Sequence, residues 1–536
     1  MMFVRIALLA GKRRESFIRR PATPASRAAD EAGISQPAWS SIGGMLTMIE
    51  ASRDNDPAED GAPAIGGKRA TAHPADCRAP ALGMGGSGAA GELQFGAAGS
   101  LARADGRAIE QISDARSSLA LRNLRGFVIL IVLAFHSVLP YLWSASSSAF
   151  PFDQPPYEWR AFPIVDRERW FGFDLFCAWQ DVYLMSLMFF LSALFAWPSL
   201  ARKGSRKFLG DRLLRLGAPF VFGLIVVVPL AIYPAYRVIA VDPSLIAYGR
   251  RFLALPFWPN GPMWFLWLLL ALTIAPAGLH RFAPHWVAFL GRLSSHATAR
   301  PGRYLIGLAT AAALAYVPLA LAFTPWNWSE HGPFSLQLSR PLLYAVYYLA
   351  GLGVGAHGLE RGLLAPEGML ARRWSVWLVC ALASLLLWMG LAGLTLTYAT
   401  STPLMLQIAA DVSFALAGAS GFFFVMAACL RFGAVRSRLF DGLSKNAFGI
   451  YLLHYAPLVW LQYALLNVPL FAIAKATIVF GGTLLLAFAA TTAIRFVRFG
   501  SRVIGEEPQA LASAPSPRRI LARESQYEND DGKPVR

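Results

Sequence analysis

Four cysteines in 536 residues, Cys77, Cys177, Cys380 and Cys429, are too scattered to pair, and three of them fall in or beside apolar stretches. Neither a disulfide framework nor a zinc site is indicated. Charge is scarce too: Asp, Glu, Lys and Arg supply 15% of the residues, against 55% that are hydrophobic, with 36 Phe and 16 Trp. That excess of apolar residues is more than a soluble core of this length needs, so the chain reads as a polytopic membrane protein. Also missing is any stripe of cations interleaved with aromatics outside the apolar runs. The net charge of +17 therefore does not indicate a nucleic-acid partner. The basic residues sit in short segments between apolar runs, where they orient helices in a bilayer. The opening segment, Met1 to Arg14, has an apolar stretch of only about eight residues with basic residues after it, which reads as short of a signal peptide and far short of a span.

Residues 1–117 are rich in Ala, Gly, Ser, Pro, Arg and Asp and show almost no periodic apolar pattern. The expectation is a disordered extension or one created by a mis-assigned start, with Met45, Met48 and Met84 as later starts. Residues 504–536 form a polar tail expected to lie in the cytoplasm. Between them, 118–503 is expected to be an all-α integral membrane domain, a bundle of about ten transmembrane helices. The apolar stretches run near 126–143, 176–197, 217–239, 262–280, 304–323, 341–358, 374–395, 408–430, 447–466 and 472–494.

Loop charge tests that count. Arg116, Arg122 and Arg125 precede the first stretch, Arg202, Lys203, Arg206, Lys207, Arg212 and Arg215 follow the second, and Arg495, Arg498 and Arg502 close the tenth. The loop after the first stretch instead carries Asp153, Glu158, Asp166, Glu168 and Asp174 against three arginines. By the positive-inside rule both termini are cytoplasmic and the number of spans is even. Trp143, Trp197, Trp258, Trp326 and Trp374, at the ends of spans, suit interfacial belts.

Arg125 and His136 stand on the first of these helices, separated by a rise of roughly 16 Å, about half the hydrocarbon thickness. An ionisable group at that depth is a functional candidate by default. A neutral histidine hydrogen-bonded inside the bundle is the other reading.

The stretch from Arg125 to His136 resembles the Arg-x10-His signature that opens the acyltransferase-3 family of membrane acyltransferases. Four further segments are similar to the same family in the same order: Phe189-Phe-Leu-Ser192, Asp211-Arg-Leu-Leu-Arg-Leu-Gly-Ala-Pro219, Gly261-Pro-Met-Trp-Phe-Leu-Trp267 and Ala447-Phe-Gly-Ile-Tyr-Leu-Leu-His454. Within the family, the branch with the succinyltransferases of periplasmic glucans looks most similar. The resemblance implies transfer of an acyl group from a cytoplasmic acyl-CoA, as substrate and not as bound cofactor, to a hydroxyl of an envelope glycan. It implies a multi-pass protein of the bacterial inner membrane, with the lipid bilayer as surroundings and no metal. His136 would be the general base, since an imidazole titrates near neutral pH and can return its proton to the leaving thiolate. Arg122 and Arg125, with the Arg-x-x-Arg pair Arg212 and Arg215, would hold the donor's phosphates through guanidinium forks, or would serve only to orient the helices.

Three departures from the family's pattern bear on this. Arg122 stands where an acidic residue is usual, Ala193 replaces a glycine, and Leu187 replaces an aspartate. His136 thus inherits no acidic orienter, and Asp174 and Asp181 are the candidates to replace it, a solvated interfacial aspartate being the alternative for both. Trp264 and Trp267, with Tyr451 and His454, would either line an acceptor pocket or pack within the bundle. Asp411 is expected to be solvated near the outer surface. The Gly418-Ala-Ser-Gly421 turn is best read as small-residue helix packing. A transporter or flippase of an envelope precursor would also bury ionisable groups. The paired, interrupted repeats common in transporters are not evident between the two halves.

Overall fold

The computed structural model describes residues 117–146, 149–155, 157–329, 331–359, 362–398 and 401–496. The expected extension up to residue 116 and the tail 504–536 lie outside them. The protein is helical, and no strand occurs among the described residues. In chain order the helices are α1 (Ser117–Tyr141), α2 (Phe171–Lys203), α3 (Ser205–Ile239), α4 (Leu245–Leu253), α5 (Gly261–Phe282), α6 (Pro284–Ala297), α7 (Pro301–Phe323), α8 (Pro341–His357), α9 (Trp374–Thr395), α10 (Leu404–Phe432), α11 (Arg438–Leu453), α12 (Tyr455–Ala464) and α13 (Ala472–Arg495).

Eight of these, α1, α2, α3, α5, α7, α9, α10 and α13, are long and apolar enough to cross a bilayer. The two other expected stretches are also helical. One is α8, 17 residues long; the other is α11 continued by α12, which meet at His454, whose N–H bonds the Ile450 carbonyl and whose carbonyl accepts from Leu458.

Helix α10 is the most enclosed span, and α9 and α13 turn most of their surface outward. At the centre α2 packs on both α8 and α10, with α7 and α9 outside α10, and α12 between α3 and α13. Without a hydrophobic force between helices in lipid, close backbone approach carries such contacts. The glycines provide it: a Cβ on Gly351 or Gly355 would strike the carbonyl oxygens of Phe190 and Leu194 on α2, and one on Gly353 would lie 2.6 Å from Leu290 Cβ on α6. Gly418 on α10 does the same against Val182, at 2.6 Å from its carbonyl oxygen. The Gly418 to Gly421 turn is therefore a helix contact, as its small residues suggest.

The two ends of the bundle differ chemically. At the basic end the Arg125 guanidinium lies over the Phe195 ring of α2 at 4.6 Å, and Asn123 Nδ2 donates to the carbonyls of Gly433 and Val435, each at 2.7 Å. At the opposite end the loop after α1 is a folded cap, with Phe152 stacked on Trp159 at 4.8 Å and the Trp159 indole N–H donating to the Phe152 carbonyl at 3.0 Å. Two of its aspartates are engaged in ion pairs: Asp153 pairs with Arg251, and Asp166 forms a buried pair with Lys475 of α13 at 2.8 Å. Asp174, expected as a solvated group or an orienter of His136, is fully buried and accepts from the backbone N–H groups of Trp143 and Ser144 at 2.8 and 3.2 Å. Two segments expected as loops are short helices, because each repeats apolar residues at helical spacing: α4 exposes Leu245, Ile246 and Leu253, and α6 exposes Trp286, Phe289 and Leu293. Apolar rows beside arginines suit a helix lying at a lipid surface.

Candidate active site

His136 lies on the last full turn of α1, where Nδ1 is 2.8 Å from the Val132 carbonyl oxygen. A carbonyl can only accept, so Nδ1 carries the hydrogen and Nε2 keeps its lone pair. The side chain is half-buried. The His136 backbone carbonyl accepts from Gln462 Nε2 at 2.9 Å, which ties α1 to α12.

The other half of the site is the junction of α11 and α12. His454 is fully buried. Its Nδ1 is 2.6 Å from the Tyr451 carbonyl, which fixes the same tautomer, and its Nε2 has no hydrogen-bond partner. The two imidazoles meet edge to face, centroids 5.2 Å apart, and Tyr455 lies 6.5 Å from His136 and 6.3 Å from His454. The Tyr451 hydroxyl donates to the Pro262 carbonyl, anchoring the turn that opens α5. Gly261 takes φ +45, and a Cβ there would lie 2.8 Å from Tyr455 Cε1. A side chain at this position would be both strained and obstructed.

From that turn aromatic contacts run inward. Phe265 meets Tyr451 at 5.8 Å and Phe189 at 4.8 Å, Phe189 stacks on Tyr344 at 4.9 Å, and Tyr344 stacks on Trp264 at 5.8 Å. Four of the five segments singled out in the sequence thus converge on one place. Trp264 belongs to this cluster. Trp267 faces Phe334 at 5.7 Å, and its indole nitrogen is buried without a partner.

The fifth segment stays at the basic end. There α3 opens into a wide π turn, Leu213–Gly217, with a second at Gly223–Val227; π segments recur at functional sites. Arg212 enters the first turn with its guanidinium 5.3 Å from the Phe208 ring, and Arg215, within it, is exposed. Beside them an open cleft of about 610 Å³ is lined by Lys203, Arg206, Lys207 and Asp211. Arg125 has no acidic partner among the described residues, whereas Arg122 is paired with Asp441 at 2.7 Å.

Asp181 is held by Arg340, whose Nη1 and Nη2 reach its two carboxylate oxygens at 2.8 and 2.7 Å. The orienter of the His136 ring is the Val132 carbonyl, not a carboxylate. Asp411, expected to be solvated, is buried on α10. Sequence reasoning passed over Arg340, Lys475 and Gln462. A signal existed for two of them: Arg340 is the lone cation of the segment 324–340 and opens a span, and Lys475 is a charge inside a span.

Arrangement and composition define the class, a multi-pass membrane protein with an imidazole pair inside its bundle. Residues 118–492 match the family model described as an acyltransferase domain, that of the acyltransferase-3 family, and the chain belongs to that family. It is an acyltransferase. No curated protein and no solved structure matches it.

Proposed function

We propose that the protein is an O-acyltransferase of the bacterial inner membrane that moves an acyl group from a cytoplasmic acyl-CoA to a hydroxyl of an envelope carbohydrate, with His136 as general base. The observation that carries this reading is the hydrogen bond from His136 Nδ1 to the Val132 carbonyl. It leaves Nε2 as a proton acceptor on a half-buried side chain partway through the bundle. A thioester is already activated, so the protein has to take one proton and steady one oxyanion. The acceptor oxygen attacks the thioester carbonyl carbon as its proton passes to His136 Nε2. The tetrahedral intermediate then expels the thiolate, which takes that proton and restores the neutral ring.

The basic end would face the cytoplasm by the positive-inside rule. Arg125, free of an acidic partner among the described residues, and Arg212 and Arg215 at the π turn would hold the donor's phosphates. Arg122, already paired with Asp441, is a weaker donor group. Trp264 stands in the aromatic cluster next to the histidines and would offer a face to a sugar ring.

The test is mass analysis of envelope glycans from cells lacking the gene, complemented with wild type or His136→Ala at matched membrane abundance. An acyl modification should vanish with the gene and return only with wild type. Loss of a general base lowers turnover on the order of 10²–10⁴-fold; equal restoration by His136→Ala rejects the assignment. In the same cells Arg125→Ala should cut acylation about tenfold or more while abundance holds, the scale of a lost charged hydrogen bond. Loss in proportion to abundance would make Arg125 an orienting residue only.

A further inference from the structure

A buried imidazole nitrogen without a partner is costly, and native proteins rarely leave one unexplained. His454 Nε2 is such an atom. It belongs to a side chain with no exposed surface, at the junction of α11 and α12. Of the rings around it, Tyr451 lies at 5.9 Å and gives its hydroxyl to Pro262, Tyr455 lies at 6.3 Å, and His136 is nearest at 5.2 Å. Both histidines donate through Nδ1 to a carbonyl of their own helix. Each therefore keeps its Nε2 lone pair, at a separation over which a modest ring rotation brings two nitrogens into hydrogen-bonding reach.

His136 meanwhile lacks the carboxylate that usually steadies a catalytic imidazolium. Asp174 is spent on the end of α1, Asp181 is spent on Arg340, and no carboxylate among the described residues is hydrogen-bonded to His136. The titratable groups packed against the pair are Tyr451 and Tyr455.

We propose that His454 steadies the imidazolium from the reacting side of the ring: once His136 Nε2 has taken the proton, a small ring rotation turns its N–H from the acceptor oxygen to the Nε2 lone pair of His454, so that the two rings share one proton. This rests on the reading of His136 as base and gives His454 a positioning role, acting through His136. The proton that leaves the acceptor hydroxyl resides on Nε2 of His136, held by the lone pair of His454, until the thiolate takes it. Both rings then return to the neutral form and nothing else is consumed. A neutral partner also suits the setting, because it accepts a hydrogen bond without adding a permanent buried charge.

The full chain, labelled with 15N at histidine and placed in lipid nanodiscs, allows both Nε2 resonances to be followed from neutral to acid pH. In the wild type the two should move together over one shared pH interval, as coupled sites do. In His454→Gln the His136 signal should move over a different interval, and His136→Gln should shift that of His454; either variant alone suffices if the other does not fold. Acyl transfer by His454→Gln should fall roughly 10- to 100-fold in turnover with little change in KM, the scale on which loss of an orienting partner acts. Rings that titrate independently, with the His136 interval the same in wild type and His454→Gln, overturn the proposal. So do rings that never take up a proton while the fold persists. A shared proton combined with full acyl transfer by His136→Ala would overturn the base assignment and leave the pair standing; independent rings combined with loss of acyl transfer in His136→Ala would do the reverse.

Discussion

Arg340 illustrates what one residue can decide inside this bundle. Its guanidinium engages both oxygens of Asp181, lies 4.9 Å from the Phe414 ring and is almost wholly buried. A lysine keeps the charge there but loses the planar fork. Arg340→Lys should therefore lower stability by about 1–3 kcal/mol, read as an earlier thermal transition of the purified protein in detergent. An unchanged transition would mean that Asp181 finds other donors. Single residues were unevenly legible in the sequence. His136 stood out because an imidazole inside an apolar run has few bland explanations, and the structure does set it beside His454. The partner of Asp181 could not be read, since the two residues are 159 positions apart and no local pattern links them. Asp174 and Asp411 misled for a common reason: position near a span's end says nothing about whether the surrounding helices cover a side chain.

Among the elements, the α11–α12 junction and the turn that opens α5 depend on each other. Tyr451 holds the Pro262 carbonyl, and Gly261 lets that turn pass against Tyr455. Gly261→Ala places a Cβ in the left-handed region, at about 1–2 kcal/mol, and also presses it into the tyrosine ring. The variant should melt earlier and lose acylation out of proportion to its abundance, because the displaced ring borders both histidines; normal acylation per folded molecule would detach the turn from the site. Hydropathy made the long helices visible, since a run of about 20 apolar residues has one common outcome in a bilayer. It did not show the π turns of α3, although each ends two residues ahead of a proline, Pro219 and Pro229, that lacks a backbone N–H. The short helices α4 and α6 were hidden because an amphipathic nine- or fourteen-residue segment resembles a charged loop when only mean polarity is weighed.

At the scale of the whole molecule, the bundle is fastened at both ends by contacts between its first and last thirds. Lys475 of α13 grips Asp166 in the cap, both almost completely buried, while Asn123 and Arg122 hold the far end of α1 to residues 433–441. Lys475→Met strands a buried carboxylate and should cost about 3–5 kcal/mol. The expected sign is faster protease cleavage of the cap in intact vesicles, with the double change Asp166→Asn, Lys475→Met milder than the single one; equal protection in all three would assign the cap's order to its aromatic core alone. The family and the helical membrane class were legible because motif order and apolar length are properties of the chain itself. The closure of the bundle was not. Gln462 reaches the His136 carbonyl from 326 residues away, and that distance has a consequence during biosynthesis. A nascent chain that has released only its early helices carries the imidazole of His136 but neither its neighbour nor the amide that pins its helix. The contacts of His136 with His454 and Gln462 form only after residues 454–462 have been made, so a shorter product lacks them.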